Sequence, residues 1–280
     1  MANKKSSKLS AQSSSRYLLE NAPIQPSLKF RIEEAYKTIR ANIMFSVMKK
    51  GCKIIVVSSS IPNEGKTTTT VNLAVSISQA DQKVLLIDGD LRKPKIHNYF
   101  SIANSPGLTN YLGDKISGKR YADLFSVIHP TEYENLSVLC SGTVPPNPAE
   151  LLGSELMAEF LNDVSKDFDY IIIDTPPVNV VSDSLPLIRE SDGVVLVVRS
   201  NRSTHPELQK ALSALEFIDA KILGFVVNFV ESKAGKRSSY KYGKYSKYGY
   251  NSYGGYGYGY GYGYYNSNRN KYESRNDPRN

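Results

Sequence analysis

A β-branched apolar run, Lys53-Ile54-Ile55-Val56-Val57-Ser58, leads into the segment Ser60-Ile61-Pro62-Asn63-Glu64-Gly65-Lys66-Thr67. The stretch from Thr68 to Ala80 then reads as a helix. Strand, glycine-containing turn ending in Gly-Lys-Thr, helix is the layout of a phosphate-binding P-loop. A helix N-terminus offers unpaired N–H groups and the positive end of a dipole, both of which favour anions. Gly65 lets the backbone approach phosphates without a Cβ in the way. Lys66 supplies a charge for the β/γ-phosphates, and the Thr67 hydroxyl is a Mg²⁺ ligand. Asn63, Glu64, Gly65, Lys66, Thr67 and Thr68 are therefore the candidate nucleotide-binding residues. Ser60 stands where the first glycine of such loops is usually found. An ordinary strand-to-helix turn can also contain Gly-Lys-Thr, so the rest of the chain must decide.

Two further segments do so. Val84-Leu85-Leu86-Ile87-Asp88-Gly89-Asp90 and Tyr170-Ile171-Ile172-Ile173-Asp174 are apolar runs ending in aspartate. Continuous apolar runs of this length fit strands buried on both faces of a parallel sheet. Ligands of open parallel sheets sit at the carboxyl ends of the strands. Asp88, Asp90 and Asp174 are thus expected to converge on the phosphate site. Three carboxylates beside a triphosphate need an intervening cation, which implies Mg²⁺ with ATP. Any one of them alone could instead cap a helix or sit in a turn.

Strands are expected at 53–59, 84–89, 136–141, 170–174, 194–199 and 222–229. Helices are expected at 66–80, 148–166, 183–190 and 205–217, with short helices at Leu108–Leu112 and Tyr121–Phe125 in an insertion. Phe30, Ala35, Ile39, Ile43 and Val47 give Lys29 to Lys49 a helical period. This alternation predicts an α/β fold with a doubly wound, mainly parallel sheet. Residues 1–28, serine-rich with Pro23 and Pro26, read as an extended basic arm. Residues 29–231 form the folded domain.

Charge is unevenly spread. Residues 1–30 hold five basic and one acidic residue, 31–231 hold twenty and twenty-four, and 232–280 hold ten and two. The net +8 therefore belongs to the ends, and no nucleic acid is expected as partner. Cys52 and Cys140 lack metal-ligand spacing and read as reduced thiols of a cytosolic protein. No secretory signal and no apolar run near the roughly 20 residues of a membrane span is visible.

Residues 232–280 carry thirteen of the chain's twenty tyrosines: Tyr240, Tyr242, Tyr245, Tyr248, Tyr250, Tyr253, Tyr256, Tyr258, Tyr260, Tyr262, Tyr264, Tyr265 and Tyr272. So few aliphatics among so many glycines cannot offset the entropy of ordering, and a disordered tail is expected. Such a tail could be adhesive, or stack on single-stranded nucleic acid. It also offers phosphoryl acceptors on the same chain as an ATP site. A tyrosine hydroxyl is a poor nucleophile at pH 7, but a carboxylate at the γ-phosphate can take its proton as the bond forms.

Taken together, these residues resemble the bacterial protein-tyrosine kinases of the P-loop type that act in Gram-positive capsule and exopolysaccharide assembly. Residues 60–67 are similar to that family's variant Walker A motif. Residues 84–90 with Arg92 and Pro94 resemble its Walker A′ motif, and Ile171–Asp174 with Thr175-Pro176-Pro177 its Walker B region. The segment from Ser141 to Leu152 is similar to another family signature. Glu34, Lys37 and Arg40 lie on the pattern of the family's Glu-x-x-Arg-x-x-Arg oligomerisation helix, with Lys37 keeping the charge but not the fork of the middle arginine.

The resemblance implies that Lys66 stabilises charge during transfer, that Thr67, Asp90 and Asp174 hold Mg²⁺, and that of the two catalytic carboxylates Asp88 and Asp90 it is Asp88 that serves as the base facing the acceptor, with Asp90 the alternative. It implies an adenine contact for Asn228, which as a strand-end asparagine could equally cap a turn. It further implies autophosphorylation of the tail and a ring-like homo-oligomer. A separate transmembrane activator is expected to dock on the final strand and the segment just after it, Phe229 to Gly235, and to hold the kinase at the inner face of the membrane. A protein-tyrosine phosphatase and cytosolic substrates complete the expected partners. Two other classes share the motifs: a partition or division-site positioning ATPase, and a nucleotide-dependent scaffold with an interaction tail. The first usually carries a signature lysine where this chain has Ile61.

Overall fold

The computed structural model describes residues 24–118 and 124–230. The tyrosine-bearing segment, most of the basic arm and residues 121–123 of the expected Tyr121–Phe125 helix lie outside the described residues. Leu124–Ser126 is a single 3₁₀ turn.

Seven strands form one sheet: β1 (Lys53–Ser59), β2 (Val84–Asp88), β3 (Ile128–Pro130), β4 (Leu136–Leu139), β5 (Tyr170–Asp174), β6 (Gly193–Arg199) and β7 (Ile222–Asn228). Their order is β3-β4-β2-β5-β1-β6-β7. Every pairing is parallel except β3 with β4. The helices are α1 (Pro26–Ser46), α2 (Lys66–Ser78), α3 (Ile96–Phe100), α4 (Leu108–Ile116), α5 (Pro148–Leu152), α6 (Glu155–Val164), α7 (Ser184–Arg189) and α8 (His205–Phe217).

The apolar runs behave as two-faced strands. Val56, Leu85, Ile87, Ile171 and Ile173 pack on one side with Leu112, Phe160, Leu187 and Leu215 of α4, α6, α7 and α8. Ile55, Val57, Leu86, Ile172 and Val195 pack on the other with Ile43 of α1 and Leu73 and Ile77 of α2. Burial overrides propensity in α2, whose Thr- and Val-rich sequence Lys66-Thr-Thr-Thr-Thr-Val is a poor helix former in isolation. Eleven of its thirteen residues are buried.

Several boundaries differ from the sequence reading. The first helix begins at Pro26, so the extended arm stops short of residue 28. A proline is well placed there, because the first helical N–H has no partner to lose. The expected helix 148–166 is two helices that part at Gly153 and Ser154, and the Ser154 hydroxyl accepts from Met157 N to cap the second. The strand expected at 136–141 ends at Leu139.

Candidate functional site

β1, β2 and β5 lie side by side, and register aligns Asp88 with Asp174 and Val57 with Asp174. The carboxyl ends of three central strands therefore deliver the P-loop, the Asp88/Asp90 pair and Asp174 to one place. The loop turns through two left-handed residues, Asn63 at φ 66° and Gly65 at φ 88°. Gly65 is the N-cap of α2, so no side chain blocks the helix N-terminus. A Cβ on Gly65 would lie 2.6 Å from Nδ2 of Asn228. That amide donates to Glu64 O and to Thr69 Oγ1, both at 3.0 Å. Asn228 thus braces the P-loop from the end of β7.

Lys66 Nζ sits 3.1 Å from Asp90 Oδ2 and 3.6 Å from Asp174 Oδ2. Burial disfavours the ammonium, but the charges of Asp174 and Asp90 outweigh it and its pKa is raised. Thr67 Oγ1 donates to Asp174 Oδ2 at 2.6 Å, and Thr70 Oγ1 to Asp174 Oδ1 at 3.2 Å. Burial, opposed by Lys66, lifts the Asp174 pKa. Asp88 is fully enclosed. Burial first, and then the charge of Asp174, push it up to about 7. Its Oδ2 accepts from the N–H groups of Lys95 and Ile96 at 2.9 Å, and its Oδ1 from Asp90 N at 3.3 Å. It caps α3 rather than opening directly towards an acceptor. Asp90 is less enclosed, and its Oδ1 takes the Lys93 N–H at 3.0 Å.

The donor set suits Mg²⁺. It consists of hard oxygens, one hydroxyl and two carboxylates, on residues already in mutual contact. Among the described residues no group of three or more His, Cys, Asp or Glu forms a ready-made metal cage. Mg²⁺ favours such an open arrangement, because it keeps waters and takes substrate phosphates as ligands.

A cavity of about 480 Å³ opens beside the loop, lined by Asn63, Gly65, Lys66, Thr67, Thr68, Lys95, Asn98, Tyr99, Arg199 and Phe229. Tyr99 OH lies 2.7 Å from Thr68 Oγ1. The Arg199 guanidinium stacks 4.0 Å above the Phe229 ring and reaches Asn63 O at 3.2 Å. Tyr99, Arg199 and Phe229 carry no motif in the sequence; only the fold brings them to the P-loop. Glu64 is present at the site, but its carboxylate points inward, so its only route to a ligand is its backbone N–H.

The three positions of the expected oligomerisation pattern on α1 divide. Glu34 and Lys37 form an exposed pair at 2.8 Å, whereas Arg40 Nη1 donates to Ser76 O near the end of α2. No helix among the described residues is long and apolar enough to cross a membrane.

This fold and site define a P-loop nucleotide-binding domain, and the family described as "AAA domain" matches residues 52–222. The chain is 41% identical over 217 residues to the tyrosine-protein kinase YwqD of Bacillus subtilis, covering 78% of this chain and 85% of YwqD. It is 38% identical to the putative tyrosine-protein kinase CapB of Staphylococcus aureus, covering 76% and 90%. The crystal structure of the chimerical protein CapA2B2 superposes with a TM-score of 0.69 at 36% identity, covering 79% of this chain and 91% of that one. The chain belongs to the bacterial P-loop protein-tyrosine kinases, and it is an enzyme that phosphorylates tyrosine. The positioning-ATPase and scaffold alternatives fall with that assignment.

Proposed function

We propose that this kinase uses ATP with Mg²⁺ to phosphorylate its own tail tyrosines between residues 240 and 272, and so regulates the synthesis and export of a capsular or exopolysaccharide. The observation that carries the reading is the position of Lys66. It lies between Asp90 and Asp174, with Thr67 on Asp174, at the wall of a nucleotide-sized cavity. Lys66 stabilises charge on the β/γ-phosphates as the γ-phosphoryl group moves. Thr67, Asp90 and Asp174 would hold Mg²⁺, which when bound neutralises charge on the phosphate oxygens. Asp88 takes the phenolic proton while the new O–P bond forms and the bond to the β-phosphate oxygen breaks. A carboxyl pushed up to about 7 is well matched to that exchange. It must first release the N–H groups of Lys95 and Ile96 to face the phenol.

Two surfaces support the proposed partners. β7 is an edge strand whose Phe225 and Val227 are exposed, together with Phe229 and Val230 just beyond it. Exposed large apolar side chains gathered along one edge strand mark an interaction site. It suits a cytoplasmic segment of a transmembrane activator, which would also keep the kinase at the inner face of the membrane. The exposed Glu34–Lys37 pair on α1 suits a neighbouring copy in a ring-like oligomer, with Arg40 first exchanging its contact to Ser76. A phosphatase would reset the tail, and cytosolic proteins would be further substrates.

The test is incubation of the full chain with γ-labelled ATP and Mg²⁺, followed by mapping of phosphotyrosine. Label on the tail supports the proposal. Release of free phosphate with no tail phosphotyrosine refutes it.

A further inference from the structure

A phosphate-binding loop is a costly place for a carboxylate, because a triphosphate repels it. Glu64 immediately precedes Gly65, yet it is completely buried. Its oxygens are satisfied from two separate segments. Within the loop, Ile61 N donates to Oε2 at 2.8 Å, and Ser60 Oγ approaches Oε2 at 3.1 Å. From the turn between β6 and α8, Ser203 Oγ donates to Oε1 in a short hydrogen bond. Ser203 Oγ in turn accepts from Arg199 N at 2.9 Å. With its one proton on Glu64, Ser203 relays Arg199 N–H to the carboxylate; the same hydroxyl lies 3.1 Å from Arg199 O, and Arg199 N–H also reaches Glu64 Oε1 directly at 3.4 Å. The Arg199 side chain closes the loop by donating to Asn63 O at 3.2 Å.

We propose that Glu64 is a positioning residue, and that through Ser203 the β6–α8 turn sets how well the P-loop binds ATP. The proposal rests on the ATP reading above and deepens it. The physical basis is population shift. Charge-assisted hydrogen bonds to a buried carboxylate are strong, and losing a partner leaves a buried oxygen unsatisfied. A loop that spends less time in its binding conformation shows a proportionally weaker apparent affinity, while the saturated enzyme turns over as before. The turn starts from Arg199, the last residue of β6, which is stacked on Phe229. Anything that moves Phe229 therefore pulls on the same fastening.

The informative variant is Ser203→Ala, because Ser203 lies outside the P-loop and its loss leaves Glu64 only the longer direct bond from Arg199 N on that side. It is expected to raise the KM for ATP about tenfold, the order of one lost buried hydrogen bond, with kcat held within about twofold. The Kd of a fluorescent ATP analogue should rise in parallel. Ser203→Thr keeps the hydroxyl and should restore both constants. Glu64→Gln should also raise KM, and combining it with Ser203→Ala should add little, because both act on one contact. An unchanged KM and Kd in Ser203→Ala, or a fall in kcat with KM unchanged, overturns the inference. If the wild-type chain neither binds the analogue nor uses ATP, the underlying reading fails as well, which the wild-type control reveals by itself.

Discussion

Gly65→Ala tests the P-loop geometry most directly. The new methyl group is held at φ 88°, where an L-residue costs about 1–2 kcal/mol. It also stands 2.6 Å from Asn228 Nδ2, so that amide must move. Its two hydrogen bonds, to Glu64 O and Thr69 Oγ1, are then weakened or lost, at about 0.5–1.5 kcal/mol each. Alanine stiffens the unfolded chain and returns about 0.4–1 kcal/mol. The net expectation is a loss of about 2–4 kcal/mol, read by urea unfolding without nucleotide. Asn228→Ala alone should cost about 1–3 kcal/mol from the same two bonds. The double variant has no clash left and no bonds left to lose, so it should cost about 2–4 kcal/mol, short of the sum of the singles. Additive losses would show that Gly65 and Asn228 do not share one contact. A Gly65→Ala chain as stable as wild type would refute the close approach altogether.

Lys66→Met should lower tyrosine phosphorylation by about 10²–10³, the usual cost of one transition-state stabiliser, and should also lower urea stability because Asp90 and Asp174 lose their cation, with the fold retained; anti-phosphotyrosine signal at wild-type level contradicts this. In metal- and nucleotide-free protein, Asp88 has a folded pKa of about 7 against 3.8 for the free side chain. The folded state therefore binds that proton more tightly, and the stability it contributes is complete below about pH 4 and lost as pH rises through 7. The urea midpoint should fall between pH 5 and pH 8, and Asp88→Asn should flatten that fall; identical pH profiles for the two chains would exclude Asp88 as the source. A Lys66→Met full-length chain mixed with an active chain lacking residues 232–280 should become labelled, and labelling confined to active full-length chains would rule out transfer between copies. Charged substitutions at Phe225 and Val227 should abolish stimulation by the activator's cytoplasmic segment while leaving basal activity intact; stimulation equal to wild type would remove β7 as its docking face.

The sheet and the centre of the site were legible because each is written locally. Five-residue apolar runs such as Tyr170–Asp174 can be satisfied only between two layers, and the aspartate ending each run is placed by the strand itself. What escaped is set by distant partners. α3 is five residues long and is capped by Asp88, a carboxylate from another segment. β3 contains His129 and Pro130, lies at the sheet edge half-exposed, and has no periodicity to read. Arg199 ends β6, Ser203 follows it and Phe229 follows β7, and they reach the P-loop only because β6 lies beside β1 and β7 beside β6. The inward turn of Glu64 likewise depends on Ser203, which sequence proximity does not suggest.

The placement of β1 has a consequence for the order of events during synthesis. Its two neighbours are β5 and β6, which begin at Tyr170 and Gly193, whereas β1 itself ends at Ser59. At about 5–20 residues per second, the ribosome takes roughly 6–22 s to reach β5 after finishing β1. Throughout that interval the P-loop strand has no edge to pair with, and the loop has neither Asp174 nor the β6–α8 turn to hold its shape. Nucleotide affinity therefore arrives late and all at once, when the middle of the sheet closes. The tyrosines beyond residue 240 emerge only after β7, so the nascent chain completes its kinase before it possesses the segment proposed as that kinase's substrate.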